Sequence, residues 1–393
     1  FGFAFPFLPF FIQEIGITDP EELRFWSGVL ARAPALSMAI MAPVWGLIAD
    51  RVGKKIMMLR AMLFGSIIIF GMSLAQSVTA VLALRIAQGL FTGTMTASAA
   101  LVATGTPRER LGYALGLLSS SSFIGISIGP LLGGVFSEWF GYRTSFTIGS
   151  VILATGFVLV LLLIREAPDA EDDNEDGPDG EKVGAPSGVA GRPPLRTLFT
   201  VTVVSTLVMM LILRFVRALP VPFLPLYVQQ LRGGIEGSAS ITGFISAARG
   251  AATALAAVTI TRLGDRHPKL LVVSLLLAVA GVLSLPIAFL PSLGLFAVLI
   301  VIATFFLGGI EPLLQAEISA RVPANRRGVL FGVQTTVGNM GWFVAPLVGS
   351  WISIEFVINI VFLALALSLF PAAVTALIVH RRAPRAGNTR RAA

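Results

Sequence analysis

Six ionisable side chains stand inside long apolar stretches of the chain: Arg32, Arg85, Arg214, Arg217, Arg249 and Glu311. At the centre of a bilayer-crossing helix such a group costs ~2.5–3.5 kcal/mol on insertion scales, so each one needs a reason. Glu311 is the one deeply placed carboxylate. In poorly hydrated surroundings a carboxyl group is pushed toward its neutral form, which suits reversible uptake and release of a proton. The alternative is a Glu–Arg pair that ties two segments together. Arg214 and Arg217 are three apart and share a helix face. With Arg32 and Arg249 they would make any chamber they face positive, which favours an anionic or partly anionic ligand. The other reading pairs them with Glu311 and with backbone carbonyls. Gln88, Gln315, Gln334 and Asn339 are polar positions in the same kind of stretch, suited either to ligand contact or to hydrogen bonding between helices.

The elements that must hold these residues are membrane-spanning helices. Apolar residues make up 55% of the chain and charged residues 13%, and mean hydropathy is +0.86. A soluble chain carries about 25% charged residues. Crossing a bilayer takes about 20 mostly apolar residues, and such stretches recur with short gaps. Spans are expected at 1–15, 25–49, 57–76, 78–103, 111–136 and 143–164, and then at 198–230, 241–262, 270–290, 293–317, 328–352 and 356–379. The spans hold no cysteine, histidine or clustered carboxylates, so neither an enzyme's nucleophile nor a metal site is expected.

The two sets of six are copies of one unit. Pro6-Phe7-Leu8-Pro9-Phe10-Phe11-Ile12-Gln13 returns as Pro222-Phe223-Leu224-Pro225-Leu226-Tyr227-Val228-Gln229, at an offset of 216. Asp50-Arg51 matches Asp265-Arg266 at 215, and Gly125, Pro130 and Gly133 match Gly341, Pro346 and Gly349 at 216. By the same register Phe1 corresponds to Arg217, so the first span is expected to lack its N-terminal part. Arg85 and Glu311 fall opposite Val301 and Met95. Neither is duplicated, as expected for chemistry rather than scaffold. The halves are expected at 1–165 and 196–380. Residues 166–195, acidic and rich in Gly and Pro, read as a disordered tether, and 381–393 as a basic tail.

Charge sets the orientation. Arg51, Lys54, Lys55, Arg108, Arg110, Arg262, Arg266, Lys269, Arg326 and Arg327 lie on alternate loops together with the tether and tail, whereas the opposite loops hold Arg24, Arg143 and Arg232. The positive-inside rule puts the first set, the tether and the C-terminus in the cytoplasm of a cell (inner or plasma) membrane. The net charge of +8 is thereby explained by topology, and no nucleic-acid partner is expected.

Gly46-Leu47-Ile48-Ala49-Asp50-Arg51-Val52-Gly53-Lys54-Lys55 resembles the signature loop of the major facilitator superfamily, with Ile48 and Lys54 as conservative departures. Arg85-Ile86-Ala87-Gln88-Gly89 is similar to that family's fourth-span motif, linked there to proton coupling. Gly125, Gly129, Pro130, Gly133 and Gly134 fill the fifth-span motif of its antiporters, especially twelve-span drug:proton exporters. The resemblance implies an all-α bundle of twelve helices in two pseudo-symmetric six-helix halves. Spans 1, 2, 4, 5, 7, 8, 10 and 11 would then line a central cavity. It implies a secondary active transporter, most readily a proton-coupled antiporter exporting small amphipathic compounds by alternating access. An importer or facilitator of a metabolite anion, or a transporter-like sensor, remains the alternative. Glu311 and Arg85 become candidates for proton coupling. Arg32, Arg214, Arg217, Arg249, Gln88, Gln315, Gln334 and Asn339 become candidates for the substrate. Gly46, Asp50, Arg51, Gly53, Lys54, Asp265, Arg266 and the five fifth-span residues become candidates for gating. The partners expected are a small-molecule substrate, protons and the lipid bilayer. The proton gradient would be the energy source, with no cofactor, and the chain would act as a monomer.

Overall fold

The computed structural model describes residues 2–3, 5–93, 98, 101–102, 106, 110–164, 200–321 and 327–382. The expected tether and all of the tail beyond residue 382 lie outside them. Among the described residues every regular element is helical.

Span 1 ends in Leu8–Glu14, span 2 is Pro20–Val52, span 3 is Lys54–Leu74, and span 4 contains Val78–Phe91. Spans 5 and 6 form one run, Leu111–Leu163, bent at Gly141, whose φ of 80° and ψ of 162° leave the helical region. Glycine tolerates that positive φ, so the chain reverses direction there without a longer loop. Span 7 is Val201–Ala218 followed by Leu224–Arg232, and span 8 is Ser238–Arg266. Span 9 is Lys269–Ser284 with the short helix Pro286–Phe289. Span 10 is Leu293–Gly308 continued by Ile310–Arg321, span 11 is Arg327–Glu355, and span 12 is Ile358–Arg382. Eight of the described helices are long and apolar enough to cross a membrane by themselves. The 21-residue span 3 rises about 32 Å at 1.5 Å per residue, which matches the hydrocarbon thickness.

Two spans are broken where the sequence predicts continuous helices. In span 7, Pro220 and Pro222 interrupt the ladder between Ala218 and Leu224. In span 10, Pro312 lacks an N–H and its ring would crowd the carbonyl four residues back, at Gly308. The Gly308–Gly309 pair absorbs the break.

The duplication is visible in the packing as well as the sequence. A Cβ built on Gly349 would meet Phe223 Cε2 at 2.6 Å and the Leu219 carbonyl at 3.3 Å, while one on Gly133 would meet Phe7 Cε2 at 3.1 Å and the Phe3 carbonyl. Phe3 and Phe7 precede Leu219 and Phe223 by the same 216 positions. Likewise a Cβ on Gly28 would meet the Pro346 carbonyl at 3.3 Å, and one on Gly243 the Pro130 carbonyl at 2.5 Å. Small residues thus let span 2 close on span 11, and span 8 on span 5, at equivalent places in the two halves.

The face of the bundle bearing Gly53, Ile164, Thr200 and Arg382 is termed the tether face, and the other the far face. Among the described residues, the hydrogen bonds between halves gather toward the far face. Gln13 and Gln229 exchange two amide hydrogen bonds, each 3.0 Å. Arg24 Nη1 donates to the Ser353 carbonyl at 2.7 Å, and the Ser350 hydroxyl to the Arg24 carbonyl at 3.3 Å. Glu138 accepts the Ser240 N–H at 3.1 Å and its hydroxyl at 2.5 Å. A carboxylate of one half therefore caps the first turn of span 8 in the other, where the helix dipole favours negative charge.

Candidate substrate cavity and its charged wall

A cavity of about 1150 Å³ separates the halves, ample for a drug-sized ligand. Its wall is mostly apolar, with Phe5, Leu36, Met340, Trp342 and Phe343 among its residues, and three arginines border it: Arg32, Arg85 and Arg214. Asn339 lines it too. Span 1, where the 3-10 turn Phe5–Phe7 leads into Leu8–Glu14, contributes Pro6 and Pro9, and span 7 contributes Pro222.

Each arginine is held differently. Arg85 is 7% exposed. Its Nε donates to the Leu30 carbonyl at 2.8 Å, its Nη1 to Gln88 Oε1 at 2.7 Å, and its guanidinium lies 4.4 Å over the Phe5 ring. Gln88 therefore serves Arg85, as polar glue does, and does not line the cavity among the residues that do. Gly89, one residue on, has no room for a Cβ against the Pro34 carbonyl and Ser37, so span 4 sits close enough to span 2 for Arg85 to reach Leu30. Arg32, also 7% exposed, rests 4.4 Å from the Phe343 ring, and none of its three side-chain nitrogens has a hydrogen-bond partner among the described residues. A cation–π contact is worth about 2 kcal/mol when desolvated and leaves all the N–H donors of Arg32 free.

Arg214 joins the cavity to Glu311. Its Nη2 lies 2.6 Å from Glu311 Oε1, and Arg217 Nη1 lies 3.1 Å from Oε2. Arg217 Nη2 also donates to the Leu307 carbonyl at 3.0 Å. The broken spans explain the arrangement. Arg214 and Arg217 occupy the end of the first segment of span 7, and Glu311 opens the second segment of span 10. Cations at a helix C-terminus and an anion at a helix N-terminus both complement the dipoles, and at the break the Leu307 carbonyl accepts Arg217 as well as the Gly309 N–H. Gly338 of span 11 makes room for Arg214, whose Cδ and Nε would lie 2.8 and 2.9 Å from a Cβ there.

The remaining expected residues divide. Arg217 and Arg249 border a separate small void inside the second half instead of the central cavity. Gln334 is 6% exposed with its Oε1 unpartnered, and Gln315 is half-buried. Neither borders the cavity. In the fifth-span motif, Gly129, Gly133 and Gly134 pack tightly against Gly2, Phe3, Phe7 and Ala239, whereas Gly125 has open space. Gly53, with φ 97°, makes the turn between spans 2 and 3, with Lys54 opening span 3 and Arg266 exposed at the end of span 8. The surroundings of Gly46 and the side chains of Asp50, Arg51 and Asp265 lie outside the described set. Sequence reasoning did not assign Phe5, Phe343, Gln13 or Gln229. The glutamines carried a signal, because they stand opposite each other in the repeat.

The chain matches the Major Facilitator Superfamily over residues 1–234 and again over 206–393. It is 32% identical over 394 residues to the multidrug resistance protein MdtG of Klebsiella pneumoniae (strain 342), covering 98% of this chain and 91% of that protein. The protein of the same name from Dickeya zeae (strain Ech586) is 33% identical over 369 residues, covering 93% and 87%. A solved bacterial homolog of the human lysosomal transporter Spinster, inward-facing and occupied, superposes with a TM-score of 0.78 at 15% identity, covering 96% of this chain and 92% of that one. The nucleoside transporter NupG gives 0.74 at 12% identity, covering 96% and 95%. At those identities the two structures speak for the fold alone. Two half-chain matches, near full-length relatives and a duplicated bundle around a central cavity agree: this chain belongs to the Major Facilitator Superfamily and is a multi-pass membrane transporter of small molecules, not an enzyme.

Proposed function

We propose that the chain is a proton-coupled exporter of small amphipathic compounds, drugs among them, working by alternating access in a cell membrane with its tether face in the cytoplasm. The names of its relatives and the apolar character of the cavity support the substrate class. The observation that carries the coupling is Arg214, which touches the cavity on one side and Glu311 on the other. With Glu311 ionised, Arg214 is compensated and an uncharged or cationic amphipath can occupy the apolar cavity. A proton on Glu311 leaves Arg214 uncompensated beside the ligand and repels a cation. Proton and substrate then exclude one another, which is the condition for antiport. The half-to-half bonds toward the far face fit a resting state open to the cytoplasm. The halves, at 1–165 and 196–380, would rock about the cavity. The energy source is the proton gradient, no cofactor is called for, and one chain suffices.

Arg32 favours a second reading. Its unpartnered donors suit an anionic head group. An anion would also be helped by a proton on Glu311, because Arg214 is then free to bind it, so proton and anion would travel together. Charge thus decides direction. Purified protein in liposomes with an imposed pH gradient tests this, following a cationic and an anionic amphipath separately. Gradient-driven extrusion of the cation supports the exporter. Co-uptake of the anion alone replaces it with the second reading, and flux of neither leaves a sensor.

A further inference from the structure

Beside the Glu311 group, and apart from the central cavity, the second half contains a small void of about 30 Å³, room for one or two water-sized particles. It is bordered by Arg217, Arg249, Ser284 and Thr304, with Phe362 and Leu365 on its apolar side. Three observations converge on it. Arg214, Arg217 and Arg249 stand against a single carboxylate, Glu311, and Arg249 makes no ion pair among the described residues. Its one hydrogen bond as a donor from the side chain runs from Nε to Thr304 Oγ1 at 3.2 Å. Ser284 is 1% exposed, and its hydroxyl has no hydrogen-bond partner among the described residues. A buried charge without a partner is costly, and so is a buried hydroxyl that makes no hydrogen bond. The Thr304 hydroxyl is already spent on the Ile300 carbonyl at 2.7 Å, but the guanidinium N–H groups and the Ser284 hydroxyl donate, so the group that satisfies them together is an anion small enough for the void.

We infer that this void is a binding site for a small monovalent anion of the halide class, held by Arg249 and Arg217 with a hydrogen bond from Ser284, while Thr304 positions the Arg249 guanidinium. The site is distinct from the substrate cavity, and it stands whether or not Glu311 carries the transported proton. The void excludes a carboxylate on a carbon chain, which has no space beside Phe362 and Leu365. The site can therefore be saturated without competing for the substrate cavity.

The test uses the full chain, purified in detergent and exchanged into chloride, bromide or gluconate at one ionic strength. Chloride and bromide should raise the unfolding midpoint in a saturable way, as any ligand of the folded state does, and gluconate should not. Crystals grown in bromide should show one anomalous peak between Arg249 and Ser284. Ser284→Ala removes one donor to an ion and should weaken the apparent halide affinity about tenfold. Arg249→Gln should abolish the response, whereas Arg32→Gln, in the substrate cavity, should keep it. Equal midpoints in chloride and gluconate with no bromide peak would mean that the void holds water only, and the inference fails. A halide response unchanged in Ser284→Ala and a peak elsewhere would equally overturn it.

Discussion

Glu311 divides its two oxygens between two guanidiniums, and the side chains are only about a quarter exposed: 21% for Glu311, 27% for Arg214 and 23% for Arg217. Glu311→Gln keeps the shape and removes the charge. Two guanidiniums then lose their counter-ion, and stability should fall by about 1–3 kcal/mol, read as a lower unfolding midpoint in detergent. In liposomes the same variant, fixed in the charge state of the protonated carboxyl, should bind a cationic amphipath more weakly and lose flux driven by a pH gradient. Full gradient-driven flux in the folded variant would remove Glu311 from the coupling. Gly338 offers a subtler perturbation of the same group. A methyl there collides with Arg214 Cδ and Nε, so Gly338→Ala should cost about 1–3 kcal/mol by overpacking. It should also displace Arg214 from Glu311, which slows gradient-driven transport without touching either charged residue by mutation.

At the scale of the element, the breaks in spans 7 and 10 place the charges. Pro312→Ala would let span 10 run through Gly308–Gly309 and would return the Leu307 carbonyl to the helix ladder. A proline in a helix interior costs about 3 kcal/mol, so the variant should be no less stable by thermal unfolding, yet slower in transport. The sequence made the frame legible. The 216-residue register, the spans and the orientation of basic loops all follow from hydropathy and spacing, and the matched glycines Gly133 and Gly349 turn out to pack on matched partners. What each arginine does was less legible. Arg214 and Arg217 share a face by spacing and do share Glu311, yet only Arg214 borders the cavity. Both lie in the unbroken helix Val201–Ala218; Arg214 shares the cavity face with Ala218 four residues on, whereas Arg217 is turned toward the Leu307 carbonyl, and which face meets the cavity is set by tertiary packing. Arg249 lies mid-helix in span 8 and borders a small void in its own half. Nothing in the spacing of Thr304 or Ser284 announces that void.

For the whole molecule, closure toward the far face rests on a few bonds that must break when the halves rock. Glu138 caps span 8 across the interface, and removing such a cap costs about 1 kcal/mol. Glu138→Ala should therefore shift the balance toward the state open on the far face by roughly fivefold. The chain has no cysteine, so spin labels on two introduced cysteines, one in each half on the tether face, report this directly as a shorter distance distribution. Linking residues 13 and 229 through introduced cysteines and a short bifunctional reagent should have the opposite effect. Transport should stop, and the tether-face distance should stay at its longer value until the linker is cleaved.

The mutual amide bond between Gln13 and Gln229 has an evolutionary corollary. Two equivalent residues can clasp each other only where the rotation relating the halves passes between them, so the contact is of the kind that identical subunits make across a dyad. A polypeptide the length of one half already contains both sides of that clasp. Two separate copies of such a half-length polypeptide, docked as the halves are here, would set this one glutamine against its own twin.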